Sequence, residues 1–373
     1  MSGLCGWIGK GAGAGDNRAL IEAMAAPMAR FDGAAIAALA GRSSACAVAA
    51  NAGSALLYQN GGATVALWGP ATASEPRMAQ QAAEQGLGKA LLDTWRASPQ
   101  AACAGLSGAF VLCIMDEASG EAMLAIDRMG TYPLTYQLAG ETLVFGSSAD
   151  AIGRHPLTPS QVDPQGIYNY VYFHMIPSPG TVHANQQRLL PGEFLRYRQG
   201  RVEKQPYWRM RFEEQGSKPM AELKEEFRET LRSSVRAAIG GQQVGAFLSG
   251  GTDSSTIAGT LCEVGGVPAK TYSIGFEAEG YDEMEYARIA SRHFGTEHHE
   301  YYVTPDDVVA AIPKIAGVFD QPFGNASAVP GYYCAKMAHA DGVTRIFGGD
   351  GGDELFGGNE RYSKQHVFAR YER

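Results

Sequence analysis

The sequence predicts an α+β domain of antiparallel hairpins followed by an α/β domain built on a parallel sheet. Three observations predict it. The chain has 373 residues, too many for one ordinary core. In the first half, short apolar runs are separated by turn residues at hairpin spacing. In the second half, short apolar strands alternate with amphipathic segments of helix length. The expected boundaries are 1–210 for the first domain and 220–373 for the second. The polar stretch Glu213-Glu-Gln-Gly-Ser-Lys-Pro219 marks a linker over 211–219.

In the first half, strands are expected at 4–8, 45–50, 54–58, 64–68, 108–116, 121–127, 134–137, 142–146, 193–197 and 202–207. Turn chemistry separates them at Asn51-Ala-Gly53, Asn60-Gly-Gly62, Ala118-Ser-Gly120 and Gln199-Gly200. Helix is expected over the Ala-rich stretch 19–40 and over the periodic stretch 78–98. In the second half, helices are expected at 220–239, 254–264, 283–294, 306–319 and 331–339. Strands are expected at 244–248, 270–276, 297–303 and 344–347. In such a sheet, ligands sit outside the carboxyl ends of the strands.

Hydrophobic residues make up 45% of the chain and charged residues 19%, a globular composition. The net charge of −8 argues against a nucleic-acid or membrane-surface partner. It does not oppose a phosphate held by local amides. Six cysteines, at 5, 46, 103, 113, 262 and 334, form no Cys-x-x-Cys pair and read as reduced thiols of a cytoplasmic protein. The opening Met1-Ser-Gly-Leu4 lacks the basic and apolar regions of a signal peptide. The longest apolar stretches, such as 109–115, fall short of the roughly 20 residues that a membrane helix needs.

The strongest local signal is Phe247-Leu248-Ser249-Gly250-Gly251-Thr252-Asp253-Ser254-Ser255, an apolar strand running through Ser-Gly-Gly into a helix. Gly250 and Gly251 let backbone approach a phosphate with no Cβ in the way. Free amides of the first helical turn then face the anion. Ser249, Ser254 and Ser255 add hydroxyl donors. A carboxylate beside a polyphosphate requires a cation between them, so Asp253 reads as a Mg²⁺ ligand. The lysine of a Walker A loop is absent, which removes the kinase and GTPase readings.

A second loop, Phe347-Gly348-Gly349-Asp350-Gly351-Gly352-Asp353-Glu354-Leu355-Phe356-Gly357-Gly358, follows the last strand. It does not fit the EF-hand pattern. Carboxylates on a Gly-rich backbone suit Mg²⁺ shared with phosphates.

The first loop resembles the pyrophosphatase loop of the N-type ATP pyrophosphatases. The second resembles Ser-Gly-(Asp/Glu)-Gly-(Gly/Ser)-Asp-Glu-(Leu/Val)-Phe-Gly-Gly of the asparagine synthetase family. The resemblance implies a HUP-like ATP pyrophosphatase domain with Leu248, Gly348 and Gly349 also at the ATP. It implies Mg²⁺ on Asp253 and Asp353, and Asp350 near the reacting carboxylate and amine. Glu354 takes a supporting place behind the ligands. Gly348 stands where the family usually has Ser. Thr271-Tyr-Ser-Ile274-Gly-Phe276 is similar to the strand that holds adenine and ribose, with Ile274 at the purine. Asp320-Gln-Pro-Phe323 and Ser327-Ala-Val-Pro330 are similar to the substrate-side loop. His298 and His299, adjacent on a strand, point to opposite faces, so a shared metal is not expected and one should face solvent.

In this family an N-terminal nucleophile glutaminase, an αββα sandwich, precedes the synthetase domain. Cys5-Gly-Trp-Ile-Gly9, Leu106-Ser-Gly-Ala-Phe110, Ala125-Ile-Asp-Arg128, Gly130-Thr-Tyr-Pro-Leu134 and Leu190-Pro-Gly192 resemble its landmarks. Cys5 is the candidate nucleophile, but four residues precede it, and the mechanism needs the free α-amine of that cysteine. Arg30-Phe31-Asp32 is at most a remnant of the glutamine-holding segment. Leu67-Trp68-Gly69-Pro70 stands in place of the oxyanion loop, and Ser107 in place of the acid that binds the glutamine amine. The expectation is a degenerate glutaminase.

The resemblance implies an ATP-dependent, Mg²⁺-assisted ligase that adenylates a carboxylate such as aspartate and passes it to ammonia from glutamine. Two alternatives stay open. One is an amide ligase of the β-lactam synthetase or peptide-cyclase kind, using an amine of the substrate. The other is a non-catalytic ATP-binding scaffold. Members of the family continue well beyond the second acidic loop, so the second domain is expected to be incomplete. The oligomeric state is left open, a homodimer among the options.

Overall fold

The computed structural model describes residues 2–373 except 11–14, 31–32, 52, 213–215, 217, 278–281, 359–361, 363 and 365–373. The chain divides into two compact units. The first is Met1–Phe212 together with Ala316–Gly324, and the second is Glu213–Ile315 with Asn325–Arg373. Residues 213–215 and 217 of the expected linker, and Phe31 and Asp32, lie outside the described residues.

The first unit opens with β1 (Gly3–Gly9), α1 (Asn17–Ala29), β2 (Ala35–Ala40), β3 (Ser44–Ala50), β4 (Ala55–Asn60), β5 (Ala63–Trp68) and β6 (Thr72–Ala73). Three helices follow: α2 (Pro76–Gln85), α3 (Leu87–Ala97) and α4 (Pro99–Ala104). Then come β7 (Leu106–Ser107), β8 (Val111–Asp116), β9 (Glu121–Ile126), β10 (Thr135–Ala139), β11 (Thr142–Gly146), α5 (Ala149–Gly153) and α6 (Pro164–Phe173). β12 (Gln187–Arg188), β13 (Glu193–Arg198) and β14 (Arg201–Pro206) complete it.

Two six-stranded antiparallel sheets result, ordered β12-β10-β11-β1-β3-β2 and β14-β13-β9-β8-β5-β4. Alternation along each strand sends one set of side chains between the sheets and the other set under helices. Leu4, Ile8 and Val48 meet Val111, Leu124 and Leu195 in the inter-sheet core. Cys5, Trp7 and Ala47 face Ile21, Met24 and Met28 of α1. Val65, Leu67 and Ile114 face Met78, Leu91, Leu92 and Trp95 of α2 and α3. These four layers form the αββα sandwich. Asp127 pins the turn after β9: its carboxylate accepts the N–H groups of Met129 at 2.9 Å and Thr131 at 3.1 Å.

Two helix expectations need correction. Residues 35–40 form β2, not helix, paired with β3 from Ala35↔Ala50 to Ala40↔Ala45. Alanine favours helix in isolation, but Gly33, at φ 61°, turns the chain away from the direction of α1, and the open edge of β3 captures the run. The periodic stretch 78–98 is two helices, broken at Gly86 with φ 87°. Helices α4, α5 and α6 were not legible, being short and weakly periodic.

His155 offers a pH test of this unit. Its ring packs against Trp7 with centroids 5.2 Å apart, and its Nδ1 accepts the Leu157 N–H at 3.3 Å. Burial pushes its pKa down to about 4. The unfolded chain protonates first as pH falls, so stability is intact above the ordinary histidine value and drains between there and about 4. At pH 4.5 the expected contribution of this residue is a loss of about 2.5 kcal/mol. Denaturant titrations at pH 7.5 and 4.5 should show that loss in the native chain and a correspondingly smaller one in His155→Leu.

The second unit begins with α7 (Met220–Ile239), β15 (Val244–Phe247), α8 (Thr252–Gly265) and β16 (Lys270–Phe276). It continues through α9 (Met284–Phe294), β17 (Glu297–Val303), α10 (Pro305–Val318), α11 (Ala328–Ala340), β18 (Arg345–Phe347) and α12 (Gly352–Phe356). The sheet is parallel and ordered β17-β16-β15-β18. Val235, Ala246, Leu248, Leu261 and Ala287 fill one side of it. Tyr272, Cys334, Ala338 and Val343 fill the other.

Candidate active site

The strand order places the site. β16 and β17 lie on one side of β15, and β18 lies on the other. The crossovers therefore diverge between β15 and β18, and the crevice outside their carboxyl ends is the switch point where such sheets bind ligands. Ala246 pairs with Phe347, so the two strands end side by side. Both glycine-rich loops leave from there.

The first loop is held from behind. Leu248 is buried, its N–H donates to the Tyr272 carbonyl at 3.0 Å, and its carbonyl accepts the Ser273 hydroxyl. The Ser249 and Ser254 hydroxyls lie 2.8 Å apart and close the loop on itself. Gly250 has φ 82°, and a Cβ there would collide with the backbone of Tyr286 on α9. Glycine is required on both counts. Gly251 is the N-cap of α8, and no side chain caps that end. The first-turn amides of a fourteen-residue helix are thus left for an anion. The Ser255 hydroxyl, buried and without a protein partner, adds a donor.

The second loop touches the first. A Cβ on Gly349 would lie 2.7 Å from the Ser254 nitrogen and 2.9 Å from the Asp253 Cβ. A Cβ on Gly352 would collide with the Asp253 carboxylate. Asp253 therefore rests on the backbone of the residue that precedes Asp353. The carboxylate of Asp353 in turn lies against Gly358. Among the described residues no three His, Cys, Asp or Glu side chains gather as a metal cage. The loops that carry Asp253 and Asp353 meet where the Asp253 carboxylate lies against Gly352.

Asp350 is exposed on the same turn, and a Cβ on Gly348 would lie 2.5 Å from its Oδ2. The serine usual in the family at this position would displace that carboxylate. Glu354 accepts a hydrogen bond from the Tyr362 hydroxyl at 3.2 Å. Ile274 is half-buried on β16 and packs towards α11. The motifs alone did not disclose the contacts of Gly250 with α9 or of Gly352 with Asp253. The abundance of glycine hinted at close approaches without saying to what.

The two histidines have separate partners. His298 Nδ1 lies 3.0 Å from the Thr271 hydroxyl, and burial lowers its pKa. His299 stacks on Tyr272, with Asp341 3.3 Å from Nδ1 and Glu297 3.2 Å from Nε2. His299 is the more exposed of the two, at 31% against 9%, and is engaged on both edges.

In the first unit, Cys5 sits mid-strand on β1, paired with Gly146 on one side and Ala47 on the other. It is fully buried among Trp7, Ile21, Met24, Met28 and Val144. Burial pushes its thiol well above the usual range, the opposite of what a nucleophilic cysteine requires. Leu67 is buried under α3, Trp68 stacks on Tyr132 with centroids 4.2 Å apart, and Ser107 lies in β7 paired with β6.

Comparison with known proteins agrees with this layout. The asparagine synthase family model matches residues 226–373, and the glutamine amidotransferase domain model matches residues 82–208. A putative asparagine synthetase (glutamine-hydrolyzing) 2 of Methanocaldococcus jannaschii is 33% identical over 68% of this chain and 50% of its own length. Asparagine synthetase (glutamine-hydrolyzing) 1 of Bacillus subtilis is 28% identical over 76% of this chain and 44% of its own. The chain belongs to the asparagine synthetase family.

It spans half or less of the length of these family members. The amidotransferase match begins at residue 82, so it does not reach Cys5, whereas the asparagine synthase match includes both acidic loops. A solved structure, glutamine phosphoribosylpyrophosphate amidotransferase from B. subtilis complexed with ADP and GMP, is 15% identical. It covers 71% of this chain and 64% of its own at a TM-score of 0.36, too distant to carry an argument. Among the described residues, no helix is long and apolar enough to cross a membrane.

Proposed function

We propose that this chain is an ATP-dependent amide-forming ligase of the asparagine synthetase kind, acting in the cytoplasm on small molecules. The observation that carries the reading is the seating of the Asp253 carboxylate on Gly352, which joins the phosphate loop to the acidic loop at the switch point. A substrate carboxylate oxygen attacks the α-phosphorus of ATP, and the bond to the β-phosphate oxygen breaks. Pyrophosphate leaves along the loop Ser249–Ser255, where the uncapped amides of α8 and the serine hydroxyls receive its charge. Asp253 and Asp353 would hold Mg²⁺, which neutralises that charge when bound. Ammonia or an amine then attacks the acyl carbon and AMP departs. Asp350, exposed beside both loops, takes the proton that the nitrogen loses.

Release of AMP and pyrophosphate with aspartate and ammonia tests the reading directly. Turnover above the aspartate-free background is expected. Absence of both products with every carboxylate tried would refute it.

The second reading is a ligase that uses an amine carried by the substrate, as β-lactam synthetase does. The burial of Cys5 favours it, because a silent glutaminase supplies no ammonia. Glutamate release from glutamine is therefore expected to be absent. Cys5→Ala should leave ammonia-dependent AMP formation within about two-fold of the parent, since the thiol contributes packing only. Glutamate production that vanishes in Cys5→Ala would reverse this assignment.

A further inference from the structure

A cleft of about 390 Å³ opens on the first unit, and all its lining residues belong to that unit. Its size is that of a small-molecule site. Three segments build it: the turn after β9, the turn before β13, and residues 206–210 at the end of β14. It shares no residue with the two glycine-rich loops.

Backbone hydrogen bonds lock the three segments together. The Asp127 carbonyl accepts the N–H groups of Gly130 at 3.2 Å and Gly192 at 2.9 Å. The Gly192 carbonyl accepts those of Tyr207 at 2.8 Å and Trp208 at 3.2 Å. The Tyr207 hydroxyl donates to the Ile126 carbonyl at 2.8 Å. Gly192 has φ 68°, and a Cβ there would lie 2.6 Å from the Trp208 carbonyl oxygen and 3.3 Å from its ring. Glycine thus lets the Trp208 indole settle on the turn. The cleft is formed before any ligand arrives, which lowers the ordering cost of binding.

The lining combines two chemistries. Trp208, Met129, Leu190 and Met210 offer apolar and aromatic surface. Arg128 and Arg209 bring two positive charges against the single carboxylate of Glu193. That carboxylate is already engaged, because it accepts the Leu190 N–H at 3.1 Å. Arg128 Nη2 donates to the Ala104 carbonyl at 3.1 Å, which holds the guanidinium in place. Its Nε is buried with no hydrogen-bond partner among the described residues. A buried donor left unpaired beside a cleft is a group that a bound anion satisfies.

We propose that this cleft binds a small aromatic carboxylate, its ring against Trp208 and the methionines and its carboxylate paired with Arg128 and Arg209. Guanidinium groups match a carboxylate with parallel N–H donors. An indole face and methionine sulfur both favour an aromatic ring. A phosphate ester carries nearly twice the charge and would be opposed by Glu193, so a monoanion fits better. The proposal does not rest on the ligase reading.

Calorimetry on the full chain, with cinnamate as the probe, tests it. Sub-millimolar binding is expected. Arg209→Gln should weaken it at least about ten-fold, the effect of losing one charge-assisted hydrogen bond. Trp208→Leu should weaken it about five-fold through lost stacking. Cinnamamide, the neutral analogue, should bind the parent chain at least about ten-fold more weakly than cinnamate. That comparison needs no variant, so it decides the matter even if Trp208→Leu folds poorly. Inorganic phosphate should not displace the probe. No binding of cinnamate, or equal affinity for cinnamate and cinnamamide, would overturn the proposal. Undiminished affinity in both variants would also overturn it, as would displacement by phosphate.

Discussion

Asp253→Asn is expected to lower pyrophosphate release by about a thousand-fold while leaving the fold intact. The substitution preserves shape and removes one negative charge. That charge sits in the first turn of α8, in contact with Gly352 of the facing loop. If Asp253 and Asp353 together hold the cation, losing one hard anionic donor weakens both cation affinity and the neutralisation of the leaving pyrophosphate. Electrostatic stabilisation of this kind is worth several kcal/mol. The structural cost is small: the carboxylate contributes to the helix N-terminus by at most about 1 kcal/mol. Steady-state AMP formation, Mg²⁺ titration and thermal melting separate the two effects. A variant that melts with the parent and turns over at a tenth of its rate or better would remove Asp253 from the chemistry.

The second unit was nearly complete in the sequence, and the reason is physical. Its strands are short apolar runs flanked by amphipathic helices, so periodicity marks each element, and β16, β17 and α7 begin and end where the pattern changes. The first unit was legible in its hairpins because turn residues punctuate them. It was illegible where small residues carry no period: Ala35–Ala40 pairs at a sheet edge on tertiary grounds alone. The candidate site residues stand out as motifs because phosphate chemistry demands glycine and carboxylate at fixed offsets. Their convergence was not readable, since nothing in the two strings states that β15 and β18 are neighbours. Nor did the sequence disclose that Asp320, in the middle of the second half, belongs to the packing of the first unit. Long-range partners of isolated polar residues leave no local pattern.

Gly349→Ala tests that convergence without touching any functional group. Gly349 does not have a left-handed backbone angle, so alanine is acceptable to its own conformation. The obstacle lies across the crevice: the new methyl would stand 2.7 Å from the Ser254 nitrogen and 2.9 Å from the carbonyl carbon of Asp253. Both are main-chain atoms of a helix turn and cannot rotate aside, so the two loops must part by about 1 Å to restore ordinary contact, and a misplacement of that size costs about a hundred-fold in rate. Gly348→Ala supplies the contrast. Its methyl meets chiefly the Asp350 carboxylate at 2.5 Å, the free end of an exposed side chain that can turn away. ATP affinity by calorimetry should therefore fall by about a hundred-fold in Gly349→Ala and by less than about three-fold in Gly348→Ala, both at unchanged secondary structure. Equal affinities in the two variants would mean that the acidic loop and the phosphate loop do not act on one nucleotide. The energy that separates the outcomes is about 2 to 3 kcal/mol, the usual cost of overpacking against a surface that cannot yield.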